Sequence, residues 1–150
     1  MPGAVVVRSD VERKTLFGAG ETEKLAAAAY APDVTARVYG LIADKARRIV
    51  AAGHSAIVDA VFALPQERDA LAAAAQAAKV PLQGLFLTAD MATRIARVGG
   101  RRKDASDADA AVAQAQESYE LGALTWPKID ASGTLLETLD RARAALSADP

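Results

Sequence analysis

Ser9-Asp10-x-x-Arg13 follows an apolar run at residues 4–8 and is the first constellation in the chain able to do chemistry. Asp10 could accept a proton from a hydroxyl group, and Arg13, one helical turn on, could hold a nearby anion. The same residues also fit a capped helix with a surface arginine. Ile57-Val58-Asp59 is a second apolar run ending in a carboxylate. That form can hold Mg2+ directly or through water, or can simply cap a turn. The third candidate is Gly99-Gly100-Arg101-Arg102-Lys103, with Arg94 and Arg97 just before it. Paired glycines give hinge freedom and guanidinium forks suit phosphate oxygens, which would make this a lid over a polyphosphate. On composition alone, a solvated basic loop paired with Asp104 and Asp107 is the plainer reading. His54 and Trp126 read as structural: nothing near His54 completes a metal set or a nucleophile triad, and Trp126 beside Pro127 reads as a packing anchor.

These residues have to be positioned by alternating strands and helices with short joins. Strands are expected at residues 4–8, 55–60, 82–87 and 128–130, where apolar and β-branched residues cluster. Ser9 and Glu12 form a capping-box pattern that opens a short helix towards Phe17, and Gly18-Ala19-Gly20 ends it. A connection at 21–32 with an Ala-rich turn leads to an amphipathic helix over 33–52. Val34, Val38, Leu41, Ile42 and Ile49 share one side of it, and Gly53 is its stop. Further helices are expected from Pro65 to Lys79, from Ala89 to Val98 after a Thr88/Asp90 cap, from about Asp107 to Tyr119 behind a Ser106 cap, and from Thr134 to Leu146. Continuous apolar strands separated by helices mean a parallel sheet covered on both faces, a three-layer α/β domain. In such sheets ligands bind beyond the carboxyl ends of the strands. Asp10, Asp59 and Asp130 fall at or close to such ends, which points to a shared acidic rim.

Composition narrows the class. The 18 basic and 19 acidic side chains give a net charge of −1, which excludes a globally basic nucleic-acid binder. There is no cysteine, hence no disulfide, thiol catalysis or thiolate metal site. Of the 150 residues 37 are alanine, which favours helix. No apolar run approaches the roughly 20 residues needed to span a bilayer. A soluble, cytoplasmic protein of one domain, residues 1–150, is expected, with no nucleic-acid or membrane partner.

The stretches Pro2-Gly3-Ala4-Val5-Val6-Val7-Arg8-Ser9-Asp10-Val11-Glu12-Arg13-Lys14, Tyr30-x-Pro32, Gly53-His54-Ser55-Ala56-Ile57-Val58-Asp59-Ala60-Val61-Phe62 and Arg101-Arg102-Lys103-Asp104-Ala105-Ser106-Asp107-Ala108 follow one another in that order along the chain. Together they resemble bacterial P-loop kinases often described as AAA-family ATPases, in some bacteria fused behind an aminoglycoside-phosphotransferase-like domain. The likeness runs from residue 2 to about 146. It implies a P-loop NTPase/kinase-type α/β fold and ATP- and Mg2+-dependent phosphoryl transfer to a small hydroxyl-bearing substrate. Carried over by position, Asp10 would be the base or substrate-orienting carboxylate and Arg13 its substrate-side neighbour. Asp59 would sit at the Walker-B strand as the metal residue. Arg94, Arg101 and Arg102 would belong to a lid at about 99–107, and Asp130 and Gly133 would lie near the nucleotide base.

One departure stands out. The family opens with a strand, a GxxxxGK(S/T) phosphate loop and a helix upstream of the position matching Pro2, and this sequence has no such loop. Gly18-Ala19-Gly20-Glu21-Thr22-Glu23-Lys24 has the wrong spacing, two glutamates and a preceding helix rather than a strand. The resemblance therefore implies a domain truncated at its N-terminus and inactive as it stands, since phosphoryl transfer rests on positioning and charge neutralisation of the phosphates. In the family's strand order the missing strand is central, so the second and third strands here would keep unpaired edges. A partner chain could supply the strand and loop, or the edges could self-associate. The alternatives are one part of a split kinase and a non-catalytic binding or interaction module around Asp10 and Arg13.

Overall fold

The computed structural model describes residues 3–100 and 104–148. The chain is α/β: six α-helices and four short parallel strands among the described residues. It forms two compact units, one from Met1–Pro81, Lys103–Asp107 and Glu120–Gly122, the other from Leu82–Arg102, Ala108–Tyr119 and Ala123–Pro150.

The first unit begins with β1 (Val5–Arg8), whose β-branched valines favour extended backbone, and runs without a loop into α1 (Ser9–Leu16). Ser9 is thus already helical, and Arg8 stands at the cap position with no side-chain cap bond. The expected capping box does not form, because Glu12 turns inward to Lys45 Nζ at 2.6 Å instead. A 3-10 turn (Ala27–Tyr30) leads to α2 (Pro32–Ala51), with Pro32 in its first turn, where the missing N–H has no helical partner to lose. Gly53, at φ +84°, takes the left-handed conformation that ends the helix and turns the chain into β2 (Ala56–Asp59).

β1 and β2 pair in parallel, Val5 opposite Ala56 and Arg8 opposite Asp59. Successive residues point to opposite faces, so Val7 packs inward while Val6 and its neighbour Ile57 stay 57% and 45% exposed on the other face. The buried side of α2 is narrower than its apolar pattern suggests. Val38, Ile42 and Ala46, four residues apart, are buried with Tyr39, whereas Leu41 is exposed. Burying a side chain such as Val38 or Ile42 stabilises by about 1.5–3 kcal/mol.

After β2 the chain makes a tight loop to α3 (Pro65–Ala77). Phe62 takes a positive φ of 49° there, held by its buried ring edge-on to Tyr39 at 5.4 Å and by its N–H donating to the Tyr39 hydroxyl at 3.0 Å. Arg68, buried in α3, donates to the carbonyls of Phe62, Ala63 and Leu121 at 2.7, 3.0 and 2.5 Å. The loop that follows Asp59 is thereby fixed by a side chain rather than by a ladder.

The second unit holds β3 (Phe86–Thr88), α4 (Met91–Gly100), α5 (Ala110–Ala115), β4 (Lys128–Asp130) and α6 (Leu135–Ala148). β3 and β4 pair in parallel, Phe86 opposite Lys128 and Thr88 opposite Asp130. The third strand begins at 86 rather than 82: Gly84 lies against the Trp126 indole, where a Cβ would overlap the ring, and the ladder starts only beyond it. Asp90 caps α4 as expected, accepting from the Thr93 N–H at 2.8 Å. Asp109, not Ser106, caps α5, accepting from Val112 N–H at 3.0 Å. Ser106 is committed elsewhere. Among the described residues, no helix is long and apolar enough to cross a membrane.

Candidate active site

The first unit gathers charged side chains where β1 passes into α1. Arg8 closes β1 and its guanidinium bridges two carboxylates, Nε to Asp59 at 3.1 Å and a terminal nitrogen to Asp104 at 3.0 Å. Asp59 comes to that place because it is opposite Arg8 in the ladder. Asp104 comes from a segment 96 residues away, residues 104–107, which lies along the β1–α1 junction like a strap. Ala105 is the strap's buried anchor.

Asp10, the second residue of α1, is half-buried, and the Ser106 side chain hydrogen-bonds its carboxylate. Burial raises the Asp10 carboxyl above the usual range. The Ser106 bond and the nearby Arg8 pull the other way, Asp59 adds to the rise, and Arg13 opposes it, leaving a net upward shift. A half-buried carboxylate pushed towards neutrality, with a hydroxyl already on it, is what a proton acceptor for a substrate hydroxyl requires.

Arg13 is placed differently from the sequence expectation of a side chain open to an anion. It is buried, donates to the Ala29 carbonyl at 2.6 Å and sits over the Tyr30 ring at 4.8 Å. The Tyr30 hydroxyl donates to Asp107 Oδ2 at 2.6 Å, and burial together with that carboxylate raises its pKa. Lys14, almost wholly buried, lies 3.0 Å from Asp107 Oδ1, and Leu25 N–H donates to Oδ2 at 2.9 Å. The strap is therefore paired three times with the β1–α1 segment: Arg8 with Asp104, Asp10 with Ser106, Lys14 with Asp107.

The remaining expected site residues belong to the second unit or fall outside the described residues. Arg94 pairs with Glu117 and donates to Gln116 Oε1 at 2.7 Å. Arg97 donates to the Gly133 carbonyl at 2.7 Å. Asp130 ends β4, accepts from Ser132 N–H and pairs with Arg141 at 3.1 Å, and the hydrogen bonds from Ser132 hold its carboxyl below the usual range. Arg94, Asp130 and Gly133 thus share one unit, and Asp10, Arg13 and Asp59 the other. Arg101 and Arg102 lie outside the described residues. The paired Gly99-Gly100 closes α4 in helical conformation. Asp104 pairs with Arg8 and Asp107 with Lys14; the basic residues 101–103 lie outside the described residues.

A family model described as an AAA domain matches residues 1–121. The chain belongs to that family. It is a P-loop NTPase/kinase-like domain, of a class that uses nucleotide and Mg2+. Neither the curated proteins nor the solved structures compared with it contain a match.

The residues present here do not by themselves make a triphosphate–Mg2+ site. The 150 residues contain no GxxxxGK(S/T) loop to cradle phosphates. The Asp59 carboxylate is engaged by Arg8. Among the described residues no group of three His, Asp or Glu side chains is placed to hold a metal ion.

Sequence reasoning singled out Asp10 and Asp59 but did not place Arg8, Lys14, Tyr30, Ser106 and Asp107 around them. The available signal was the run Asp104-Ala105-Ser106-Asp107, three short polar side chains around one alanine. It reads equally well as a helix cap, and only the fold assigns it to α1.

Proposed function

We propose that this chain forms the acceptor side of an ATP-dependent small-molecule kinase, cytoplasmic, with its phosphate-binding loop carried on a strand–loop–helix segment outside these 150 residues. The observation that carries the reading is Asp10: a half-buried carboxylate with a raised pKa at the carboxyl end of a parallel strand, in a P-loop kinase-like family. In this role a substrate hydroxyl takes the place Ser106 now occupies opposite Asp10, which accepts its hydrogen bond and then its proton. Arg8 and Arg13 keep the carboxylate polarised. Two further features support a completing segment. Among the described residues β2 pairs only with β1 and β3 only with β4, so each has an edge without a strand. One face of the β1–β2 pair is also apolar and bare at Val6 and Ile57, where parallel sheets carry helices.

These 150 residues alone should show no turnover. The test is the complex purified from its own cells through a tag on these residues, together with whatever carries the loop. The complex should hydrolyse ATP faster in the presence of a panel of small polyols and amino sugars. Asp10→Asn should lower that stimulated rate by about 10²–10⁴-fold. A complex that neither binds nor turns over nucleotide rejects the kinase reading and leaves a binding module. That second reading is the one favoured by the engagement of Asp59 with Arg8.

A further inference from the structure

β1 has two edges, and β2 covers one. The Val5 N–H donates to Ser55 O at 2.8 Å, so the Val5 amide faces β2. Backbone groups alternate along a parallel strand, so the N–H and C=O of Val6 point the other way, towards the edge without a strand among the described residues. A groove of about 440 Å³ runs there. Val5, Val6 and Val7 all line it, and three consecutive residues of a strand share one groove only when it follows the strand's edge. The opposite wall is the C-terminal part of α2, with Ile49 and Ala52.

Charge along the groove is uneven. At the end near α1, Glu12 and Lys45 pair at 2.6 Å and neutralise each other. At the other end the wall is Arg48, in the last turn of α2, with His54 two residues before the start of β2. Arg48 has no carboxylate partner among the described residues. The groove therefore offers a free strand edge, an apolar floor and one uncompensated guanidinium beside the N-terminal end of β1.

We propose that this edge binds an extended peptide segment of a partner protein, added antiparallel to β1, with an acidic residue at its C-terminal end. An antiparallel strand brings its C-terminal end to the N-terminal end of β1, where Arg48 stands, and its apolar residues onto Val5 and Ile49. Strand addition of this kind takes its affinity from main-chain bonds and its specificity from alternate side chains. A second copy of the chain fits less well. At the end that antiparallel pairing would bring to Arg48, its own β1 carries Arg8 with Asp59 and Asp104 already bound to that guanidinium, so it offers Arg48 no uncommitted carboxylate.

The probe is a labelled synthetic peptide, acetyl-Thr-Val-Thr-Val-Asp-Asp, titrated with the full chain and read by fluorescence anisotropy. Saturable binding is expected, with slowed exchange of the Val6 amide. Arg48→Glu, an exposed helix position that leaves the fold intact, should weaken binding at least tenfold. A peptide ending Lys-Lys should bind at least tenfold more weakly. Val6→Pro, which removes only an edge-facing N–H, should also weaken it. Absence of saturable binding, equal affinity for the Lys-Lys peptide, or indifference to Arg48→Glu would each overturn the proposal. So would a wild-type dimer in sedimentation equilibrium that Val6→Lys converts to monomer, since the edge would then belong to a second copy.

Discussion

Asp107→Ala should be the most damaging single change in the strap. The Lys14 side chain is 2% exposed and the Asp107 side chain 9%, with 3.0 Å between Nζ and Oδ1. Removing the carboxylate leaves a buried ammonium without an anion, which costs about 3–5 kcal/mol. It also strands the Leu25 N–H, at about 1 kcal/mol, whereas the Tyr30 hydroxyl, on a residue 41% exposed, regains water. The expected loss is about 4–6 kcal/mol, much of the stability of a small domain. Lys14→Met alone should cost less, about 1–3 kcal/mol, because Asp107 keeps two donors. Lys14→Met with Asp107→Leu should fall within about 1–2 kcal/mol of wild type, since a buried pair replaced by apolar groups loses little. Urea unfolding followed by far-UV circular dichroism gives the three energies, and exchange at the Leu25 amide reports the strap locally. Trp126 belongs to the other unit and serves as an internal control. Acid unfolding adds a second readout. Burial alone would raise the Asp107 carboxyl, but hydrogen bonds from Leu25, Tyr30 and Lys14 outweigh it and hold it below the usual range. That stabilisation is complete above the ordinary Asp value of about 4 and is lost as pH falls through the lowered folded value. Wild type should therefore lose stability below about pH 4 more steeply than the double variant. A cost below about 1 kcal/mol for Asp107→Ala, or a double variant as unstable as the two singles summed, would refute the buried-pair argument.

Arg68→Met should destabilise by about 3–4 kcal/mol in urea, because three carbonyls lose a charged donor and the positive-φ loop at Phe62 loses its clamp. Gly84→Ala should shift Trp126 emission and cost about 1–3 kcal/mol, since the new Cβ overlaps the indole. Asp10→Asn should act in the opposite direction. A carboxyl whose folded pKa is raised adds stability below its unfolded value and loses it as pH rises through the folded one. At pH 7 the charged Asp10 is thus a cost, and its neutral isostere should raise the unfolding midpoint while lowering activity; an unchanged or lower midpoint would refute the burial argument.

What the sequence reveals of the site follows how local each signal is. β1 and β2 are legible because β-branched runs are a property of consecutive residues, and Asp59 because it ends such a run. Gly53 and Asp90 act within one turn of their own helices, and both are where their types predict. Ser9 and Ser106 carry equally good cap signals, yet neither caps a helix. β1 enters α1 without the loop a cap needs, and Ser106 is drawn to a partner in α1. Glu12 likewise answers to Lys45, 33 residues away. Arg8 was unreadable for a related reason: its two carboxylates lie 51 and 96 residues off, and only strand register places one of them. Propensity reports the elements; the polar pairs that shape the site are set by how the elements meet.

The three pairings between the strap and the β1–α1 segment are unequal, and the inequality decides what holds Asp10 in place. Arg8–Asp104 joins a side chain 33% exposed to one 30% exposed, and the Arg8–Asp59 bridge beside it, across the β1–β2 ladder, joins 33% to 62%. Exposed pairs of this kind are worth about 0–1 kcal/mol and weaken with salt. Lys14–Asp107 is the buried one, and Ala105 between the pairs is buried as well. Most of the energy that keeps Ser106 on Asp10 is therefore about one helical turn from the carboxylate it serves, in buried groups. Such a division suits a site in which one hydroxyl must be exchanged for another. The strap stays anchored at Asp107 while the Ser106 bond, a single contact to a half-buried carboxylate, breaks at a cost of about 1 kcal/mol. Raising the salt concentration should then loosen Arg8 from both carboxylates without releasing the Leu25 amide, because screening reaches exposed pairs and hardly touches a buried one.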